Sequence, residues 1–421
     1  MISFFIKTLG CKVNQYEEQL IRENMVCSGI FKECIESPPG IIIINSCTVT
    51  NQADKKTCQL IRKFHREYPE AKLIVTGCYA VFDKDVETIM SIPGVFAVIK
   101  GTNKDKFVEI LAEKLDLEKT TICSNEIVTG FKSHTRAFLK IQDGCVQKCS
   151  YCKVPLVRSS LYSKHEDLIV EEIEGLIKNG YREIVLTGIC LGAWRGEKIK
   201  ALNGLIGKID TINGDFRVRL SSIEPNHIDE QLIEALAASE KICKHLHISL
   251  QSGSDKVLKN MNRRYDTKDF LKVIYDVRSK IPSIGVTMDV ITGFPGESES
   301  DQEETEEFLK KIEPSRLHVF SYSDREGTKA YDMDNKINNK DVKLRTGRLI
   351  DIGKLLEDKF CSKFIGKEIE ILVEKGKIDS PFNGYSSEYA QVCVKKPEKY
   401  FGKIIKAISR EKVTDSPILI V

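Results

Sequence analysis

Short apolar runs at 2–6, 41–44, 73–75 and 95–99 alternate with longer stretches of helical character. This predicts a βαβ rhythm and a small parallel sheet over the first hundred residues. Residues 115–132 are polar with little periodicity and read as a linker. A second series then begins, with strand candidates at 137–141, 183–187, 216–220, 246–250, 285–291 and 316–320. Six βα units fit a partial barrel, a fold that puts its chemistry on the loops after the strands. From 341 to about 360 a charged helix is predicted, followed by β-type alternation at 368–373, 389–395, 403–408 and 418–421, with Pro381 and Gly384 as turn residues. The expected fold is therefore α/β: a parallel α/β unit at 1–116, a (β/α)6 partial barrel at 133–360 and a small β-barrel at 361–421.

Cysteines change this picture from architecture to chemistry. Cys145, Cys149 and Cys152 stand at CxxxCxxC spacing directly after the first barrel strand. Three thiolates can hold three corners of a [4Fe-4S] cube and leave one iron open, whereas an electron-transfer cluster takes four. A structural zinc needs four ligands, and the nearest candidates, His134 and His165, stand eleven residues before and thirteen after the triplet. In the first unit Cys11, Cys47 and Cys78 each follow a predicted strand. Carboxyl ends of parallel strands form the crevice where ligands sit, so these three are expected to converge. Both Cys11 and Cys78 follow a glycine, which allows close approach of a backbone to a ligand. The plainer reading, that they are small buried residues, stays open on pattern alone.

The chain has 421 residues, 41% hydrophobic and 30% charged, which describes a multidomain globular protein. No apolar run approaches the length of a membrane span. At the start, the apolar run is too short for an export signal and Lys7 follows rather than precedes it, so a cytoplasmic setting is expected, with the fourteen cysteines kept for metal rather than disulfides. Net charge is +3, the surplus lying beyond residue 361. There Tyr385, Tyr389, Tyr400 and Phe401 interleave with Lys395, Lys396, Lys399 and Lys403, a pattern suited to stacking and neutralising RNA, or to an ordinary core with solvated lysines.

Together these residues resemble the methylthiotransferase family of radical S-adenosylmethionine (SAM) enzymes over essentially the whole chain. Within it the likeness is greatest to the group acting on threonylcarbamoyladenosine in tRNA, through Thr8-Leu9-Gly10-Cys11-Lys12-Val13-Asn14, Ser46-Cys47-Thr48-Val49-Thr50, Gly77-Cys78-Tyr79-Ala80, Ser249-Leu250-Gln251-Ser252-Gly253-Ser254 and Tyr322-Ser323-Asp324-Arg325-Glu326-Gly327-Thr328. Sister groups act on isopentenyladenosine in tRNA or on a ribosomal-protein aspartate. Ser159, Cys190, Ser321 and Asp324 depart from the residues common in the family. A non-catalytic, zinc-containing RNA-binding protein is the alternative from another class.

The resemblance implies two [4Fe-4S] clusters, an auxiliary one on Cys11, Cys47 and Cys78 and one that binds SAM on Cys145, Cys149 and Cys152. It implies SAM both as methyl donor and as source of a 5′-deoxyadenosyl radical, an RNA-binding TRAM domain at the carboxyl end and a tRNA anticodon stem-loop as substrate. An electron donor such as flavodoxin or ferredoxin and a sulfur donor are further implied partners, and no membrane. Candidate SAM contacts follow from position after barrel strands: Thr187 and Gly188, Glu224, Gln251 with Ser252 and Gly253, and Phe294 with Pro295. Arg325 is the candidate for the threonyl carboxylate, because guanidinium pairs bidentately with carboxylate. His245 and His247 are read as barrel packing without a third ligand nearby, and Cys27, Cys34, Cys58, Cys123, Cys190, Cys243, Cys361 and Cys393 as packing residues.

Overall fold

Ile41 to Ile44 are buried on both faces of a strand, the pattern of a parallel sheet covered on each side. The computed structural model describes residues 1–34, 38–101, 106–117, 125–132, 134–375, 382–414 and 416–421. Cys123 and Pro381 lie outside the described residues.

The first sheet holds β1 (Ile2–Thr8), β2 (Phe31–Glu33), β3 (Ile41–Ser46), β4 (Lys72–Gly77) and β5 (Val95–Val98), all parallel, in the order β2-β1-β3-β4-β5. β2 is an addition to the sequence reading; three residues are too few for a periodicity to register. Because side chains alternate along a strand, Ile41 and Ile43 pack with α1 (Lys12–Cys27) and α4 (Phe107–Lys114). Ile42 and Ile44 face the other way, toward Ile61 and Phe64 of α2 (Asn51–Glu67) and Ile89 of α3 (Asp83–Met90). Order 2-1-3-4-5 puts its topological switch between β1 and β3, where Cys11 and Cys47 emerge.

The barrel strands are β6 (Ala137–Lys140), β9 (Glu183–Thr187), β10 (Arg217–Leu220) with its short continuation β11 (Ser222–Ile223), β12 (His245–Gln251), β13 (Gly285–Thr292) and β14 (Arg316–Ser321). β6-β9-β10 and β11-β12-β13-β14 are parallel runs, joined where Val218 bridges Ile242. Between β6 and β9 a small antiparallel pair, β7 (Gln142–Asp143) with β8 (Tyr162–Ser163), closes the base of the CxxxCxxC loop. The described end of the expected linker, 125–132, is not loose: Val128 and Phe131 are buried in the barrel core. Backbone N–H groups of Val128 and Thr129 donate to Glu172 and Glu23 at 3.0 and 2.9 Å, contacts that polarity along the chain did not signal.

The helix Asn339–Ser362 leads to a six-stranded curled sheet: β15 (Glu368–Val373), β16 (Gly384–Ser386), β17 (Gln391–Cys393), β18 (Ile404–Ile408), β19 (Glu411–Lys412) and β20 (Leu419–Ile420). It sits under the amino-terminal ends of the barrel strands. Arg217 and Arg219 share the buried Glu183 carboxylate and also donate to the carbonyls of Tyr385, Ser386 and Ser387. Gly285 meets this sheet so closely that a Cβ there would lie 2.0 Å from the Glu388 carbonyl. All six cysteines singled out above leave from the opposite, carboxyl-terminal strand ends.

Candidate iron–sulfur and SAM site

Gly10 has φ +107°, and a Cβ on it would come within 2.8 Å of Cys47 Cβ; Gly77 has φ +96° and abuts the Ser46 backbone. Only glycine accepts both conditions, so the strand ends carrying Cys11, Cys47 and Cys78 draw together. The three cysteines line one small cavity with Asn14, Val154, Val157, Arg158 and Ile189. Asn14 Oδ1 lies 3.9 Å from the sulfurs of both Cys11 and Cys78, while its amide donates to the carbonyls of Leu9 and Ser46, each at 2.9 Å. Burial pushes the Cys47 thiol up to about 11 and raises that of Cys78, the latter opposed by the Arg158 guanidinium.

Arg158 joins this cavity to the CxxxCxxC loop. Its Nε lies 3.3 Å from Cys78 Sγ, and its other nitrogens reach Glu17, Asn14 and Asp143 at 2.8 to 3.0 Å. Its carbonyl meanwhile accepts from the Cys145 backbone at 3.2 Å. Lys140 completes the buried cluster with Glu17 and Asp143 at 3.0 and 3.1 Å.

The loop itself is pinned from outside: Ser150 N–H donates to Met261 O at 3.0 Å, Ser150 Oγ to Asn260 O at 2.7 Å, and Asn262 Nδ2 to Lys148 O at 2.6 Å. Arg263 donates to Cys149 Sγ at 3.1 Å and to Tyr265 at 3.0 Å, and pairs with Glu224. Burial raises Cys152 to about 12, whereas a hydrogen bond from Cys190 lowers Cys145. The CxxxCxxC triplet itself supplies three thiols, the number that leaves one iron of a cubane open and falls one short of a closed zinc site, and the Cys190 thiol stands beside Cys145 as its hydrogen-bond donor.

The SAM candidates divide. Thr187 ends β9 and is buried, and Gly188 lies against Gln142, whose Oε1 accepts from Cys190 N–H. Gln251 is in a left-handed conformation, φ 71°, and Ser252 and Gly253 are hydrogen-bonded to Thr305 of the helix Glu299–Ile312. Phe294 is buried in a cluster with Val257, Met261 and Ala330, with Pro295 buried beside it; this packing shapes the wall and leaves no exposed Phe294 surface. Glu224 is engaged by Arg263. Arg325 differs most from expectation: it pairs with Asp54 at 2.6 Å and donates to Thr48 at 2.7 Å and to Asn51, tying the barrel to the first sheet. Its Nε is buried without a hydrogen-bond partner.

Other placements were invisible in the chain. Tyr385 and Tyr389 stack on each other 4.7 Å apart, with Arg136 and Arg219 over the rings, so they face the barrel rather than RNA. Tyr400 and Phe401 do remain exposed, at 40% and 36%, among exposed lysines. His247 acquires neighbours from the adjacent strands, Asp289 at 3.1 Å and through it His318 at 3.2 Å. Cys190, read as packing, touches Cys145, and Cys27 is disulfide-bonded. Arg158 and Arg263 carried no spacing signal at all, because single arginines are common and their partners lie up to 144 residues away.

Comparison with known proteins places these features. Residues 139–309 match the radical SAM superfamily and residues 3–101 the uncharacterized protein family UPF0004. The threonylcarbamoyladenosine tRNA methylthiotransferase MtaB of Bacillus subtilis (strain 168) is 37% identical, the alignment covering 96% of this chain and 93% of the relative. Its namesake from Chlamydia pneumoniae is 38% identical over 89% and 87%. The tRNA-2-methylthio-N(6)-dimethylallyladenosine synthase of Clostridium novyi (strain NT) is 32% identical over 88% and 85%. Among solved structures, the radical SAM methyltransferase TsrM from Kitasatospora setae shares the fold, with a TM-score of 0.58 at 14% identity over 76% of this chain and 75% of that one.

Proposed function

This chain belongs to the methylthiotransferase family of radical SAM enzymes, and we propose that it methylthiolates C2 of N6-threonylcarbamoyladenosine beside the tRNA anticodon, with a three-cysteine cluster site in each of its first two units. The observation that supports this best is the meeting of two separate cysteine triplets at one face, with Arg158 between them. When bound, the clusters would supply reductive cleavage of SAM at Cys145, Cys149 and Cys152 and a place for the transferred sulfur at Cys11, Cys47 and Cys78. Adenine C2 carries an unactivated hydrogen, so a nearby acid or base would not suffice.

The residues of the chain do the holding. Asn14 and Arg158 set the auxiliary thiols, and Arg263 sets Cys149. Val154, Val157 and Ile189 line the space beside the first triplet with apolar groups that exclude water. Around this face Phe82, Tyr162 and Tyr331 are exposed, and at the carboxyl end so are Tyr400 and Phe401, aromatic surface on which unpaired bases can stack. Thr187, Gly188, Gln251, Ser252, Gly253 and Pro295 form the wall proposed for SAM. A one-electron donor such as flavodoxin or ferredoxin and a sulfur donor complete the reaction. Among the described residues no helix is long and apolar enough to cross a membrane.

The test is anaerobic turnover of an anticodon stem-loop carrying threonylcarbamoyladenosine, with the product nucleoside identified by mass spectrometry. A gain of methylthio on that nucleoside supports the reading. Modification of only an isopentenyladenosine stem-loop would transfer the assignment to the sister activity.

A further inference from the structure

Below the cysteine face the barrel interior holds a cavity of about 200 Å³, room for several waters or a small polar group. Arg219, Ser221, His245, Asp289 and Tyr389 line it, and Lys12, next in sequence to Cys11, reaches into it from α1. Almost every charge at this cavity has its partner. Arg219 is answered by Glu183, Arg136 by Glu374 at 2.8 Å, Arg316 by Glu357, and Asp289 lies between His247 and His318. Lys12 is the exception. It makes no ion pair or hydrogen bond with any described residue, and two buried polar atoms of the same wall, Ser221 Oγ and His245 Nδ1, also lack partners.

We infer that Lys12, with Ser221 and His245 beside it, forms the subsite that receives the free carboxylate of the threonylcarbamoyl group and so selects this nucleoside over its uncharged N6-alkyl counterpart. A partly buried cation without a partner gains most from an anion, and a hydroxyl and an imidazole N–H supply the remaining donors. His247, Asp289 and His318 resemble a metal-binding triad. However, both Asp289 oxygens already face imidazoles, and the cavity is ringed by cations, which oppose a second positive ion. The location also fits: Lys12 adjoins a cysteine of the proposed auxiliary site, so an adenine held there can extend its N6 substituent into the barrel. Arg325, the other candidate for this carboxylate, is already paired with Asp54.

This inference rests on the tRNA reading above, and one experiment separates the two. Fully reconstituted wild type, Lys12→Gln, Lys12→Arg and Ser221→Ala are assayed on stem-loops whose threonylcarbamoyl group ends in the free acid or in the primary amide. Iron content and 5′-deoxyadenosine formation are measured alongside. Wild type is expected to prefer the acid by about 100-fold in kcat/KM, the loss typical of an unpaired charge. Lys12→Gln should use acid and amide alike, with iron content unchanged; Lys12→Arg should keep most of the preference, and Ser221→Ala should lower it about fivefold. Equal use of acid and amide by wild type overturns the subsite, as does a loss in Lys12→Gln that is the same on both substrates. Should Lys12→Gln lose iron, the wild-type preference and Ser221→Ala decide. Methylthiolation of neither substrate by wild type would instead sink the tRNA reading itself.

Discussion

Cys11, Cys47 and Cys78 come from three strand ends spaced 36 and 31 residues apart, whereas Cys145, Cys149 and Cys152 fit within eight residues. The first set is gathered by a folded parallel sheet: glycines at Gly10 and Gly77 and a shared Asn14 bring sulfurs from separate loops to one cavity. The second is gathered by the chain itself and then clamped from outside by Asn260, Met261 and Arg263. A scattered site therefore depends on the sheet, and a local one on its neighbours. Arg158 belongs to both, since its side chain serves the first set and its backbone carbonyl the second.

The comparison breaks most visibly if the sets are removed in turn. Cys11/Cys47/Cys78→Ala should reduce reconstituted iron from about eight to about four atoms per chain, abolish methylthiolation and keep SAM cleavage. The counterpart at Cys145, Cys149 and Cys152 should abolish SAM cleavage while about four irons remain. Iron and acid-labile sulfide assays with 5′-deoxyadenosine chromatography check this; a wild type holding only about four would make the first triplet structural.

Next in size, Arg158→Met leaves Lys140 as the cation beside the buried Glu17 and Asp143, so the cost should fall below the ~3–5 kcal/mol of a buried pair broken outright. Thermal unfolding should register the loss, and iron bound at the first triplet should fall more than at the second, because methionine keeps the backbone carbonyl that holds Cys145. Equal loss at both triplets would show that the side chain, and not only the backbone carbonyl, supports the CxxxCxxC loop. By contrast, Arg263→Leu should act on the local set only, lowering SAM cleavage about 10- to 100-fold with auxiliary iron retained.

The smallest effect is on pH. Burial raises Cys47 to about 11 and Cys152 to about 12, so both are protonated thiols before metal arrives, and each must release a proton to become a ligand. Iron and sulfide uptake should accordingly be greater at pH 8.5 than at pH 6.5 for both triplets, whereas already-ionised thiols would give no such dependence. Uptake independent of pH in a variant retaining only one triplet would show that its thiols are ionised in the apo protein.

Most of the architecture was legible because it rests on short-range periodicity. The strands at 41–44, 183–187 and 316–320 were each found within a residue or two of β3, β9 and β14, since an uninterrupted apolar run bounded by polar residues has few other solutions. β2, β16 and β19 escaped notice at two or three residues each. Residues 115–132 read as polar linker although Val128 and Phe131 are core, because two buried positions do not make a period.

What the chain by itself determined is the donor inventory and its order: three cysteines close together, three more at strand ends, and glycines before two of them. Spacing along a chain constrains only atoms a few bonds apart or on one face of one element. Tertiary structure alone decided the rest. It joined Arg158 to Glu17, 141 residues away, set Arg325 against Asp54, turned Tyr385 and Tyr389 toward the barrel, and left Lys12 as an unanswered cation inside it. These are pairings of charge and shape between separate elements. They arise only when packing removes water and each buried polar group must find a partner within a few ångströms.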